Sequence, residues 1–165
     1  SHQPVTPVMA KCRRVRHAPV EGQRRPPPEG TMSKAHARQK PAILVVDNAP
    51  AVSTTLMWVL REEGYNCVAV GTRTEALRVC ASMSPDLALI ELDLPDGTGP
   101  NVARDLRSCV PGCRMLLMSG DPEAGYEVQR AQAAGLDCEL IPKPIPAEEL
   151  LQRVKDALAQ PVRCG

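Results

Sequence analysis

The sequence predicts an α/β fold in which helices cover both faces of a doubly wound, five-stranded parallel sheet. From residue 41 onward, short apolar runs alternate with longer segments of helical periodicity, as in repeated βα units. The strand segments are continuously apolar, which indicates burial on both faces and hence a parallel sheet. Right-handed crossovers leave few topologies. The common order for five strands is 2-1-3-4-5, with a ligand crevice between the first and third strands.

Five apolar runs are predicted to be the strands. Each is short, rich in aliphatic residues and bounded by turn residues, which is typical of a buried strand. The predicted strands are Ala42 to Val46, Cys67 to Val70, Leu87 to Ile90, Met115 to Met118 and Cys138 to Ile141.

Each run is followed by a segment with apolar residues at three- and four-residue spacing, which predicts a helix. The predicted helices are Pro50 to Glu63, Thr74 to Met83, Pro100 to Cys109, Pro122 to Ala134 and Pro146 to Gln160. Pro50 suits the first turn of the first helix, and Gly64 suits the position after its end. The residues predicted to face the sheet are Val52, Leu56, Val59, Leu60, Ala76, Leu77, Cys80, Val102, Leu106, Cys109, Leu150, Leu151, Val154 and Leu158.

Charge and proline content divide the 165 residues into three parts. Residues 1–40 hold nine Lys/Arg and two Glu, contain the run Pro26-Pro27-Pro28 and lack hydrophobic periodicity. We expect a disordered, basic, proline-rich tail there; a partly cloning-derived origin is one interpretation of it. Residues 41–160 are predicted to form the folded, acidic domain, and residues 161–165 a short C-terminal tail.

Composition excludes several classes of protein. The seven cysteines are odd in number and form no CxxC motif, so we expect reduced thiols in a cytoplasmic protein rather than a disulfide framework or a zinc site. No apolar run is long enough for a membrane span or a signal peptide, so we expect no membrane partner. One Trp, two Tyr and no Phe argue against an aromatic platform for single-stranded nucleic acid.

Polar residues follow four of the predicted strands. Asp47-Asn48 follows the first strand, Glu91 the third, Ser119-Gly120 the fourth and Lys143-Pro144 the fifth. These strand ends lie at the same edge of a parallel sheet, where such folds bind ligands. Two carboxylates suit a hard cation, and a lysine with a serine suits phosphoryl oxygens.

Other common sites do not fit this edge. The segment after the first strand, DNAPAV, has neither GxGxxG nor GxxxxGK[ST], which argues against a dinucleotide or nucleoside triphosphate site. All three histidines lie in the first 40 residues, so the folded part cannot form a Ser-His or Cys-His pair. We therefore expect no enzymatic activity.

The segments VVDN, PDLALIELDLPDGTG, LLMSG and IPKPI, in this order, resemble the receiver domain of bacterial response regulators. Pro95 lies four residues and Gly99 eight residues beyond Glu91, as the pattern requires. The resemblance covers roughly Ala42 to Gln160. It implies a flavodoxin-like (βα)5 fold, in agreement with the strand order expected above.

The resemblance also implies roles for individual residues. Asp47 matches the first of two acids that bind Mg²⁺, Ser119 matches the hydroxyl residue that contacts the phosphoryl group, and Lys143 matches the lysine beside it. Glu91 falls at the phosphoacceptor position. The implied metal ligands are Asp47, Asn48, Glu91 and the backbone carbonyl of Asp93. The Lys143-Pro144 bond matches a cis peptide of the family.

Three positions depart from the family's pattern. The second acid is Asn48, the acceptor is a glutamate, and no aromatic residue lies between Cys138 and Ile141. Asn48 removes a negative charge, so Mg²⁺ binding is expected to be weak or lost. Glu91 reaches roughly 1.5 Å further than an aspartate. A displacement of about 1 Å can slow a reaction on the order of 100-fold, so phosphotransfer to Glu91 is expected to fail.

These departures predict a pseudo-receiver, a single-domain relative of response regulators that acts as a protein-interaction module without phosphotransfer. The longer carboxylate could reach Lys143 and Ser119 and mimic the phosphorylated state. Two alternatives remain open: a phosphorylatable receiver that uses Asp93 or Asp96, and a flavodoxin-like binder of a small ligand.

The expected partner is a signalling protein, either a histidine kinase or a downstream effector. The resemblance implies that it docks on the face formed by helix 4, strand 5 and helix 5, where Tyr126 is the only aromatic residue. We expect no nucleic-acid partner except through the basic tail.

Overall fold

A computed structural model of the protein describes residues 40–160. The tails predicted for residues 1–40 and 161–165 therefore lie almost entirely outside the described residues. Within the described part, no helix is both long enough and apolar enough to cross a membrane.

The central sheet has five parallel strands. They are β1 (Ala42–Val46), β2 (Asn66–Val70), β3 (Leu87–Glu91), β4 (Arg114–Ser119) and β5 (Cys138–Pro142). Their spatial order is β2-β1-β3-β4-β5, and every neighbouring pair is parallel. The predicted fold class and the order 2-1-3-4-5 are confirmed.

Five helices connect the strands. They are α1 (Pro50–Glu62), α2 (Arg73–Cys80), α3 (Gly99–Cys109), α4 (Ala124–Ala133) and α5 (Ala147–Ala159). One core cluster joins the sheet to α2, α3 and α4, and a second joins it to α1 and α5. Successive residues of one strand enter opposite clusters: Leu89 belongs to the second and Ile90 to the first. This two-sided burial explains why the strands are continuously apolar.

Four predicted details are wrong. Val59 packs in neither core cluster, and α4 begins at Ala124 rather than Pro122. Helix α2 ends at Cys80 rather than Met83, because the N–H of Ser82 turns to the carbonyl of Val79 and tightens the last turn. Cys109 is exposed rather than directed at the sheet. The next residue, Val110, packs against the core instead, so the apolar side of α3 ends one position later than predicted.

A small ribbon, not predicted from the sequence, follows β3. Asp93–Leu94 pairs antiparallel with Gly97–Thr98, and Pro95-Asp96 forms the turn between them. Proline and glycine suit the second and fourth positions of such a turn. The Asp96 carboxylate accepts hydrogen bonds from the N–H groups of Arg73 (2.7 Å) and Thr74 (2.9 Å), which caps α2. The bond from Thr74 is the main reason that the pKa of Asp96 is lowered. The ribbon thus fastens the chain beyond β3 to the neighbouring helix.

Gly99 fixes the distance between this ribbon and β3. Its N–H donates to the carbonyl of Leu92 at 2.6 Å. A Cβ at this position would lie 2.9 Å from the carbonyl oxygen of Glu91 and 3.0 Å from the Cα of Leu92. Both obstacles are backbone atoms, so a side chain here would push α3 away from the end of β3.

We predict that Gly99→Ala lowers the free energy of unfolding by about 1–3 kcal/mol, the usual cost of overpacking. Urea denaturation measures the change. Gly125→Ala is the matched control, because Gly125 also lies in the first turn of a helix and a Cβ there meets nothing within 4 Å. Equal stability changes in the two variants would show that the contact with Glu91 does not restrict position 99.

Candidate functional site

The carboxyl ends of four strands bring the predicted site residues to one edge of the sheet. Asp47 follows β1, Glu91 is the last residue of β3, Ser119 is the last residue of β4 and Lys143 follows β5. The N–H of Lys143 donates to the carbonyl of Ser119 at 2.7 Å, which continues the pairing of β4 with β5. The peptide bond between Lys143 and Pro144 is cis.

Lys143 bridges the two carboxylates of the site. Its Nζ lies 2.5 Å from Oδ2 of Asp47 and also forms an ion pair with Oε2 of Glu91. The exposed fractions of the three side chains are 1% for Asp47, 13% for Glu91 and 19% for Lys143. Charges this poorly solvated require partners, and the ammonium neutralises one of the two negative charges. The three side chains together retain one net negative charge.

The other oxygen of each carboxylate accepts hydrogen bonds from the backbone. Oδ1 of Asp47 accepts from the N–H of Ala49 at 2.9 Å. Oε1 of Glu91 accepts from the N–H of the next residue, Leu92, at 2.8 Å and from that of Asp93 at 3.4 Å. The Glu91 side chain therefore folds back over the end of its own strand while its second oxygen reaches Lys143. All four carboxylate oxygens have a donor.

The pKa of Lys143 reflects this arrangement. Burial disfavours the ammonium, but the hydrogen bonds and negative charges of Asp47 and Glu91 outweigh burial and raise the pKa above its ordinary value of 10.5. Lys143 is therefore charged at every physiological pH.

Three further predicted residues lie apart from this ion cluster. The Ser119 hydroxyl accepts a hydrogen bond from the N–H of Asp121 at 3.1 Å, and no hydrogen bond joins Ser119 to Glu91 in the described part of the chain. Asn48 and Asp93 are exposed. Glu91 thus reaches one of the two groups that the sequence suggested, Lys143, and does not bond the other.

The arrangement fits a divalent cation poorly. Among residues 40–160, no group of three or more His, Cys, Asp or Glu side chains is placed to hold a metal ion. Of the predicted ligand set, Asp47 is buried and Glu91 is partly buried, and Lys143 bonds both carboxylates. Mg²⁺ needs near-octahedral oxygen ligands at about 2.1 Å, so it could enter only after the ammonium had left both carboxylates.

The contacts that sequence reasoning missed are backbone contacts. The N–H groups of Leu92 and Asp93 hold Glu91, and Gly99 packs on its carbonyl. The eight-residue spacing from Glu91 to Gly99 was visible in the sequence, but it did not reveal the backbone groups that Glu91 accepts from. The exposed Trp58 on α1 was also missed; its relative exposure is 62%.

The chain is similar in sequence to known response regulators. The chain matches the response regulator receiver domain family over residues 43–155. It is 30% identical over 120 residues to the probable transcriptional regulatory protein TcrX of Mycobacterium tuberculosis, covering 73% of this chain and 50% of that protein. It is 33% identical over 116 residues to the DNA-binding response regulator MtrA of Mycolicibacterium smegmatis, covering 70% of this chain and 50% of that protein. The chain thus spans about half the length of the curated relatives it matches.

A solved structure agrees with these relatives. The CheY-like receiver domain protein from Methanospirillum hungatei is 28% identical and superposes with a TM-score of 0.65, covering 72% of this chain and 94% of that one. The match over residues 43–155 includes β2 to β5 in full, four of the five residues of β1 and the first nine of the thirteen residues of α5. The chain therefore belongs to the response regulator receiver domain family.

Proposed function

We propose that this receiver domain acts in two-component signalling as a protein-interaction module that works without phosphotransfer to residue 91. The observation that carries the proposal is the double engagement of the Glu91 carboxylate, by Lys143 through one oxygen and by the N–H groups of Leu92 and Asp93 through the other.

An acceptor carboxylate needs a free oxygen and free donors around it. Phosphoryl transfer is catalysed by positioning and by groups that neutralise the oxygens of the transferred unit. At this site the nearest donors already bond Glu91 itself, and the ammonium of Lys143 is held between two carboxylates. An incoming phosphoryl group would have to displace these contacts in a site where Asp47 is almost fully buried and Glu91 and Lys143 are partly buried.

The cation site supports the same proposal. Asn48 is exposed and uncharged, and Lys143 supplies the positive charge that a metal would otherwise bring to Asp47 and Glu91. Mg²⁺ binding is therefore proposed to be weak or lost. Neutralisation by a residue of the chain itself leaves the cluster stable without added metal.

The alternative acceptors are less suited. The Asp96 carboxylate caps α2 through Arg73 and Thr74, so phosphorylation there would remove a helix cap. Asp93 is exposed and begins the ribbon, outside the buried ion cluster. Neither carboxylate contacts Lys143 in the described residues.

We predict that the wild-type protein, incubated with acetyl phosphate and Mg²⁺, gains no phosphoryl group on Glu91. The double variant Glu91→Asp, Asn48→Asp is expected to gain one, because the shorter acceptor frees space beside Lys143 and the second acid restores a metal ligand. The expected rate ratio is at least on the order of 100-fold. Intact-mass spectrometry detects the added group, and peptide mapping locates it.

Each single variant serves as a control in that experiment. Glu91→Asp alone tests the acceptor geometry with the metal site unchanged. Asn48→Asp alone tests the metal site with the acceptor unchanged. A stable acyl phosphate on Glu91 of the wild-type protein would refute the proposal. Modification confined to Asp93 or Asp96 would instead favour the phosphorylatable alternative.

The ion cluster is also predicted to stabilise the fold. Lys143→Met leaves two poorly solvated carboxylates without a counter-ion, so we expect the free energy of unfolding to fall by about 3 kcal/mol, the lower end for a broken buried pair. Lys155→Met is the matched control: Lys155 pairs with Glu63 at 3.3 Å on the surface, where both side chains are largely exposed, and is expected to cost less than about 1 kcal/mol. Equal losses in the two variants would contradict this role.

The stabilisation by Lys143 should depend on pH in a defined direction. Because the folded-state pKa is raised, the contribution is fully present below 10.5, the ordinary value, and is lost as the pH rises through the raised value. The difference in unfolding free energy between wild type and Lys143→Met should therefore stay constant through neutral pH and shrink in strongly alkaline solution. If the difference shrinks only on acidification, its pH dependence comes from titration of the carboxylates and not of Lys143.

We infer that partners dock on the face formed by α4, β5 and α5. Tyr126 on α4 has a relative exposure of 74%, and it borders a groove shared with α3. An exposed aromatic side chain is a common anchor in protein interfaces. Tyr126 therefore supports the α4 part of the proposed face, and the groove beside it lies toward α3 rather than toward β5 or α5.

A photo-crosslinking residue in place of Tyr126 tests this docking face. We predict crosslinks from position 126 to a histidine kinase or an effector protein in cells that produce the natural partners. The same probe in place of Trp58, the other large exposed apolar residue of the described chain, is the control on α1. Crosslinks to such a partner from position 58 alone would place the interface on α1 instead.

A further inference from the structure

A polar cavity lies at the edge of the sheet opposite to Lys143. It has a volume of about 230 Å³ and is formed by the first residues of β4 and β5 and the C-terminal ends of α3 and α5. β4 has six residues, which separates the two sites by roughly 17 Å. The cavity is therefore distinct from the ion cluster.

Two arginines line this cavity, and each is held by one backbone contact. Nη2 of Arg107, on α3, donates to the carbonyl of Asp137 at 3.0 Å. Nη2 of Arg114, the first residue of β4, donates to the carbonyl of Gln160. These bonds fix both guanidinium groups at the cavity wall and leave most of their donors unused.

The Nε atoms of both arginines are buried and have no hydrogen-bond partner among the described residues. A buried N–H without an acceptor costs free energy, so such atoms are rare in folded proteins and indicate an acceptor that residues 40–160 do not supply. Both arginines line the same cavity.

The surrounding charges favour an anion. Asp137 and Glu139 also line the cavity, but Glu139 forms an ion pair with Arg153 of α5. The cavity wall therefore keeps two cationic groups against one unpaired carboxylate. Burial chiefly raises the pKa of the Cys113 thiol to about 12; Cys80 and Asp86 add to the rise, and Arg107 and Arg114 oppose it.

We propose that this cavity binds a small oxyanion, a phosphate or a carboxylate, between Arg107 and Arg114. Guanidinium groups bind such anions through paired, charge-assisted hydrogen bonds, and each of the two arginines has donors besides the one that bonds the backbone. The cavity holds several times the volume of one water molecule, which gives room for an anion of phosphate size. The site is independent of the function proposed for the Glu91 edge.

The Nε–Hε signals of the two arginines report directly on the proposed site. The protein is titrated with inorganic phosphate, with acetate and with chloride at constant ionic strength, and followed by ¹H–¹⁵N NMR. We expect saturable shifts of the Arg107 and Arg114 Nε–Hε signals, with a dissociation constant on the order of 1 mM for the preferred oxyanion, and little response to chloride. Comparison of the phosphate and acetate arms identifies which oxyanion is preferred.

Variants test whether the arginines act together. Arg107→Gln and Arg114→Gln should each weaken the response at least about tenfold, because each removes a charged hydrogen-bond donor. Arg104→Gln is the matched control on the same face of the chain: this exposed arginine of α3 bonds Asn101 and does not line the cavity. If either variant does not fold, the titration shifts of the wild-type arginine signals decide whether the oxyanion site exists.

Three outcomes would overturn the proposal. The first is an absence of saturable shifts at Arg107 and Arg114 up to about 10 mM phosphate or acetate, which would mean that water is the acceptor. The second is shifts confined to residues near Lys143 and Ser119, which would place oxyanion binding at the other edge of the sheet. The third is an equal response to chloride, which would show ionic screening without a site.

Discussion

The ion cluster of Asp47, Lys143 and Glu91 is the constraint on which the carboxyl edge of the sheet depends. Asp47 is almost fully buried, so its charge is tolerable only with a close counter-ion. Lys143 supplies it from beyond β5, which is separated from β1 by two strands, β3 and β4. The cluster therefore ties together the ends of non-adjacent strands. The same contacts engage the residue at the phosphoacceptor position, so the stability and the chemistry of this edge cannot be separated.

Most of the fold followed from the sequence because the core is simple. Each strand is a continuous aliphatic run, and each face of the sheet is covered by helices. The strands and their burial could therefore be predicted without knowing individual side-chain contacts. The convergence of Asp47, Glu91, Ser119 and Lys143 followed from the rule that the carboxyl ends of parallel strands share an edge. The end of α2 and the outward turn of Cys109 did not follow, since the last turn of a helix depends on local hydrogen bonds that periodicity does not encode.

The conformation of Glu91 marks the limit of sequence reasoning at the site. The extra methylene suggested a reach toward Lys143 and Ser119, and in the structure Glu91 forms an ion pair with Lys143. The methylene gave no indication that the second oxygen folds back onto the N–H groups of Leu92 and Asp93. Those donors are backbone atoms that every sequence has. The N–H of Leu92 also donates to the carbonyl of Met118 at 2.9 Å, so the pairing of β3 with β4 helps to place it beside Glu91. The Arg107–Arg114 cavity was likewise hidden, because α3 and β4 bring those residues together only in the folded chain.

The exposure of Cys109 has a consequence for the chemical reactivity of the protein. Cys67, Cys80, Cys113 and Cys138 are buried, and burial raises the pKa of each thiol, so the reactive thiolate is scarce and shielded. Within residues 40–160, Cys109 is the one thiol that a maleimide or an oxidant can approach freely. Its position at the end of α3, two residues from Arg107, makes it a natural attachment point for a fluorophore whose emission reports on that end of the sheet.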